Sequence, residues 1–175
     1  MSRSQRLPVV LVAVALAATP FPTSRASAQS TSPEQRPASA TPAPNFGGTW
    51  ELSAAESDFG SESAPTTMQL DVVHDGRTLT VASRVASASG ERASRSTYDT
   101  GGAETRNVNA GVTSVSTTSC DGVTCVMKTK SRRMGMAVRV TDSWMLSADG
   151  RTLTIRREVS ALLGSRAMTM VFHRS

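Results

Sequence analysis

The chain has 175 residues, of which 38% are apolar and 4% aromatic, and a formal net charge of +5. That length supports one domain, and two cysteines and two histidines leave little material for a metal centre. Once the expected leader is removed, 16 of the 19 basic residues face 14 acids, a charge of +2, which excludes the strongly basic footprint of a nucleic-acid binder.

The first segment opens with Arg3 and Arg6, runs apolar from Leu7 to Ala18, and reaches Ala26-Ser27-Ala28. These are the three parts of a secretory signal, with cleavage predicted after Ala28. Twelve apolar residues fall short of the roughly 20 that a membrane-spanning helix needs, so the mature form is expected to lack a span. The implied location is periplasmic or secreted. Residues 29–44 carry four prolines and almost no large apolar side chain, the composition of a disordered linker. Residues 45–175 are then the folded domain.

From Gly47 onward the sequence alternates with period two, the mark of half-buried strands. Leu79, Val81 and Val85 alternate with polar residues, as do Val138, Val140, Trp144 and Leu146, then Leu153, Ile155 and Val159, then Met168, Met170 and Phe172. Asp75-Gly76, Asp121-Gly122 and Asp149-Gly150 are tight-turn dipeptides. The pattern predicts strands at 48–53, 66–74, 77–88, 91–99, 104–109, 112–119, 123–132, 136–147, 151–160 and 165–174. Short connections imply an antiparallel up-and-down meander. So many strands point to closure into an all-β barrel of eight to ten strands. Ser53-x-x-Glu56 reads as a capping box and predicts one short helical turn after the first strand. The run Asp75-Gly-Arg-Thr-Leu-Thr-Val81 recurs as Asp149-Gly-Arg-Thr-Leu-Thr-Ile155, which reads as shared turn chemistry.

Cys120 and Cys125 flank Asp-Gly-Val-Thr and read as a disulfide across a hairpin tip. A four-residue loop would place them opposite each other. A two-residue turn at Asp121-Gly122 would leave them diagonal.

The segment Gly48-Thr49-Trp50 resembles the Gly-x-Trp motif that opens the barrel of lipocalins, a calycin-type family. The resemblance implies that Trp50 plugs the closed end and that an arginine of the final strands lies across it, Arg174 first and Arg157 second. Ser57-Asp58-Phe59-Gly60 and the run from Trp144 to Thr154 are similar to a group of exported bacterial lipocalin-like proteins. The strand count above eight, the helical turn and the missing C-terminal helix depart from the family plan. What the resemblance implies for function is a small apolar or amphipathic ligand held in the barrel.

The expected inward set includes Met68, Leu70, Leu79, Val81, Met127, Val140, Trp144, Ile155 and Met170 as ligand-binding candidates, with Val72, Val85, Val138, Leu146, Leu153, Met168 and Phe172 beside them. Abundant small strand residues suit either a cavity or a narrow filled barrel acting through its outer surface. Met134-Gly135-Met136 offers two thioethers, too few for a copper(I) site. Lys128, Lys130 and Arg132 form a basic stripe, read as a solvated outer face or as a dock for an anionic lipid headgroup or sugar. His74, His173 and Asp142 have no recognisable catalytic partner. No enzyme activity, cofactor or metal is expected, and the sequence names no protein partner.

Overall fold

The computed structural model describes residues 44–175. The expected signal and nearly all of the expected linker lie outside these residues. Ten strands follow one another: β1 (Gly48–Asp58), β2 (Thr67–Asp75), β3 (Thr78–Ser87), β4 (Gly90–Asp99), β5 (Thr105–Asn109), β6 (Val112–Asp121), β7 (Thr124–Arg133), β8 (Met136–Leu146), β9 (Thr152–Ala161) and β10 (Gly164–Arg174). They form a single antiparallel sheet in the order β4-β3-β2-β1-β10-β9-β8-β7-β6-β5. Every link but one joins sequence neighbours. The exception, β1 with β10, curls the sheet into a barrel, with Trp50 opposite Arg174 and Leu52 opposite Phe172.

The sheet order ends at β4 and β5, and these two edges face each other across a seam. Side chains span it. The amide of Asn107 accepts from the Thr97 N–H at 2.8 Å and donates to the Thr97 carbonyl at 3.0 Å. Asn109 accepts from the Arg95 N–H at 3.0 Å and donates to the Ser96 hydroxyl at 3.1 Å. A carboxamide presents the same donor and acceptor as a peptide group. Two asparagines therefore stand in for a missing strand partner, and they blunt an edge that would otherwise invite pairing.

The predicted helical turn at Ser53–Glu56 does not form. Those residues continue β1 through a wide bulge, in which five steps from Ser53 to Asp58 oppose two steps from Val171 to Thr169. The hydroxyl of Ser57 donates to the Ser53 carbonyl at 2.7 Å and accepts from the Val171 N–H at 2.9 Å. The Ser53 hydroxyl still meets the Glu56 carboxylate, which with the His173 ring holds that carboxyl below its usual range. The two capping-box side chains thus find each other on a bulged strand, where pairing with β10 satisfies the backbone better than an isolated turn would.

Hairpin turns β2–β3, β6–β7 and β8–β9, the β4–β5 connection and both ends of the domain gather at one end of the barrel. There the core is packed. Phe46, Trp50, Leu79, Leu153 and Phe172 are fully buried, and Cys125, Met127, Trp144 and Ile155 pack beside them. Phe46 comes from the lead-in to β1 and closes the floor. Its carbonyl accepts from the Trp50 indole N–H at 2.9 Å, and its ring meets Trp144 edge-on at 5.6 Å. The Arg174 guanidinium lies 4.3 Å from the centroid of Trp50 and donates to the carbonyls of Gly47 and Gly150. Gly48 has φ of +140°, and a Cβ there would run into that guanidinium. The first glycine of Gly-x-Trp is thus required twice over, by conformation and by space.

Cys120 and Cys125 form a disulfide with Cα atoms 4.0 Å apart. They face each other directly because the two-residue turn falls on Gly122-Val123, with Asp121 paired to Thr124.

Candidate functional site

Residues directly opposite one another on paired strands point to the same face of a sheet. The ladders therefore define the inner face along its whole length. From β7 to β10 the inward rows are Thr129–Val140–Val159–Arg166 and Ser131–Val138–Ala161–Gly164. These rows lie toward the end opposite the packed core, where the β1–β2, β3–β4, β5–β6, β7–β8 and β9–β10 connections gather. They wall a hollow of about 610 Å³, with Val138, Val140, Val159 and Arg157 on its inner surface and Met134 and Leu163 at its rim. That volume is in the range of small-molecule sites. A second hollow of about 650 Å³ is lined by outward residues of β1–β4, Glu51, Gln69, Arg84 and Glu91 among them, together with inward Leu52, Met68, Val85 and Arg92, and so reaches the outer surface across the ends of these strands.

The two halves of the inner face differ in kind. Seven of the nine ligand-binding candidates, Leu70, Leu79, Val81, Met127, Trp144, Ile155 and Met170, sit in the packed cluster. Val140 lines the inner hollow. Met68 is only partly buried, packs against the core, and borders the outer hollow. Gly48, Trp50 and Arg174 lie at the closed end, away from the hollow.

At the boundary between the halves, Asp142 and Arg157 face each other on β8 and β9. The guanidinium donates twice to the carboxylate, Nε to Oδ1 at 2.7 Å and Nη2 to Oδ2 at 2.8 Å. The Asp142 side chain is 11% exposed and that of Arg157 35%, so the arginine bridges from a buried carboxylate into the hollow. Burial alone would lower the affinity of Arg157 for its proton. The Asp142 charge and hydrogen bonds outweigh that, and the guanidinium stays charged. The Tyr98 phenol, half-buried on the inner face of β4, is pushed above its ordinary pKa chiefly by desolvation. The facing wall of β6 and β7 is hydroxylic, with Ser116 and Thr129 sharing a hydrogen bond of 2.8 Å.

The ion pair was findable. Asp142 shares the parity of Val140 and Trp144, and Arg157 that of Ile155 and Val159. A hairpin centred on Asp149-Gly150 brings 142 opposite 157. Asp142 has a partner after all, a structural one. Among the described residues no group of three or more His, Cys, Asp or Glu side chains could hold a metal, and no helix is long and apolar enough to cross a membrane. Met134 sits on an exposed turn and Met136 at the rim of the hollow.

No family model matches this sequence, and no curated protein matches it. Solved structures do. A secretory abundant heat soluble protein of Ramazzottius varieornatus superposes with a TM-score of 0.53 at 9% identity, over 78% of this chain and 100% of that one. A point mutant of the fluorescent protein UnaG gives 0.51 at 16% identity, over 74% of this chain and 96% of that one. The zebrafish ileal bile acid-binding protein, complexed with cholic acid, gives 0.48 at 14% identity, over 74% and 98%. At such identities the likeness is one of fold, and the first two comparisons carry it: this chain is an all-β, ten-stranded, nearly closed antiparallel barrel of the kind those two proteins share.

Proposed function

We propose that the protein binds a small amphipathic molecule in the open half of the barrel, its apolar body against Val138, Val140 and Val159 and a polar group toward Arg157. The observation that carries this reading is the division of the inner face, packed at one end and hollowed to about 610 Å³ at the other. Asp142 already neutralises Arg157, but Arg133 lines the same hollow without an acidic partner within 4.0 Å among the described residues, so a carboxylate is accommodated as well as a neutral hydrogen-bonding group. We further infer an exported carrier without enzymatic activity or cofactor. The Cys120–Cys125 disulfide supports an oxidising compartment, and the leader read in the sequence supports export with cleavage after Ala28.

An environment-sensitive fluorescent fatty acid added at micromolar concentration tests the proposal. Binding with enhanced, blue-shifted emission is expected, and Val140→Trp, which fills the hollow, should weaken it at least about tenfold. The same variant should unfold at nearly the wild-type urea concentration. Absence of binding by the wild type, or undiminished binding by Val140→Trp, overturns the reading. The outer hollow on β1–β4 favours a second reading, a filled barrel that works through its surface, and the same two results would support it.

A further inference from the structure

The hairpins beside the hollow end in the wrong residues for a solvent-exposed turn. In the β9–β10 hairpin Ala161 pairs with Gly164, so Leu162 and Leu163 are the two central residues. Their exposures are 81% and 89%. In the β7–β8 hairpin the central residues are Met134 and Gly135, and Met134 is 96% exposed at a φ of +50°. Such turns favour Asn, Asp or Gly, and positive φ disfavours methionine. Neither tip gains packing in return. Local rules broken without a structural gain mark a functional position.

From these tips we propose that the mouth of the barrel docks on an anionic lipid bilayer, with Met134, Leu162 and Leu163 entering the headgroup–acyl boundary. The two hairpins are neighbours, since β8 pairs with β9, and Val138 lies opposite Ala161. Within these two hairpins the charge nearest the tips is of one sign. Between Lys128 and Thr141 the chain carries Lys128, Lys130, Arg132, Arg133 and Arg139 and no acid, and no acid follows Glu158. Arg166 is engaged by Glu62 at 3.0 Å, while Arg132 and Arg133 have no acidic partner within 4.0 Å among the described residues. Apolar tips beside two unneutralised arginines match the chemistry of an anionic membrane surface. A protein partner of ordinary affinity would need about 800 Å² on each side, whereas two protruding hairpin tips offer little flat area. The docked orientation aims the hollow, whose rim Met134 and Leu163 share, at the lipid.

Docking does not require the hollow to be occupied, so its failure and that of the ligand reading are separable. The test is co-sedimentation of the purified chain, without added ligand, with vesicles of phosphatidylcholine containing phosphatidylglycerol. Binding is expected at low salt, and it should fall at least about tenfold with pure phosphatidylcholine or with Arg132→Ser/Arg133→Ser. The variant Met134→Ser/Leu162→Ser/Leu163→Ser alters only exposed side chains and should lose binding while keeping the wild-type circular dichroism and urea midpoint. In Leu163→Trp, vesicles should shift the new indole's emission to the blue. Indifference of the wild type to anionic vesicles overturns the proposal. So does full binding by the triple serine variant, or a solution dimer that the triple variant abolishes.

Discussion

Asp142 and Arg157 set opposing demands on single positions. Removing the arginine leaves a nearly buried carboxylate without compensation, which in a dry site costs about 3–5 kcal/mol. Arg157 reaches into the hollow and is 35% exposed, so a loss of about 2 kcal/mol is expected for Arg157→Leu. Asp142→Val/Arg157→Leu should recover most of that loss, because two apolar side chains of similar bulk carry no desolvation cost. Urea titration of the four proteins of the cycle measures this, and additive single-site losses would contradict it. His74 gives a pH dependence. Burial holds its pKa below the usual value, against a weaker pull from the Pro44 carbonyl. Its Nδ1 accepts from the Phe46 N–H at 3.4 Å. The folded state thus favours neutral His74. Its contribution is complete above the unfolded pKa of roughly 6.5 and is lost as pH falls through the lower folded value. The urea midpoint should decline as pH falls below about 6.5 in the wild type, and less so in His74→Phe. Asp99 and Asp149, held low by hydrogen bonds from Arg77 and Ser147 first of all, respond only at more acidic pH, below the ordinary carboxylate value of 3.8.

Individual strands were written plainly in the amino-acid order. Alternation gave ten of them with ends within a few residues, because each has one face on the barrel interior and one in water. The same parity placed Val138, Val140, Leu153 and Phe172 inward. The exception is the end of β1, where a four-residue local motif competed with pairing to β10, a partner more than a hundred positions away. The seam between β4 and β5 was equally hidden, since asparagine in a short strand reads as a turn signal. In the folded protein Asn107 is nearly buried. Asn107→Ala would leave the Thr97 N–H and carbonyl without their partner, a cost of about 1–3 kcal/mol. Amide exchange should then accelerate at Thr97 and Arg95 while the centre of β8 keeps its protection. Uniform acceleration, or none, would show that the seam is held by something else.

For the molecule as a whole, the sequence revealed which side chains point inward but not how far along the axis each one lies. Parity is the same at both ends of a strand. Which end is solid depends on Phe46 folding beneath the barrel and on Trp50 and Arg174 sealing it, and those contacts join the two extremes of the domain. Hence the inward candidates mixed Leu79 and Ile155, which pack the solid end, with Val140, which faces the hollow. The ladder between β1 and β10 has a temporal consequence as well. The strand that turns a curled sheet into a vessel is the last of the ten in chain order, so a growing polypeptide stays an open ribbon until Phe172 and Arg174 arrive to meet Leu52 and Trp50. Closure must therefore wait on its most distant contact, and the ribbon stays unlatched until that contact forms.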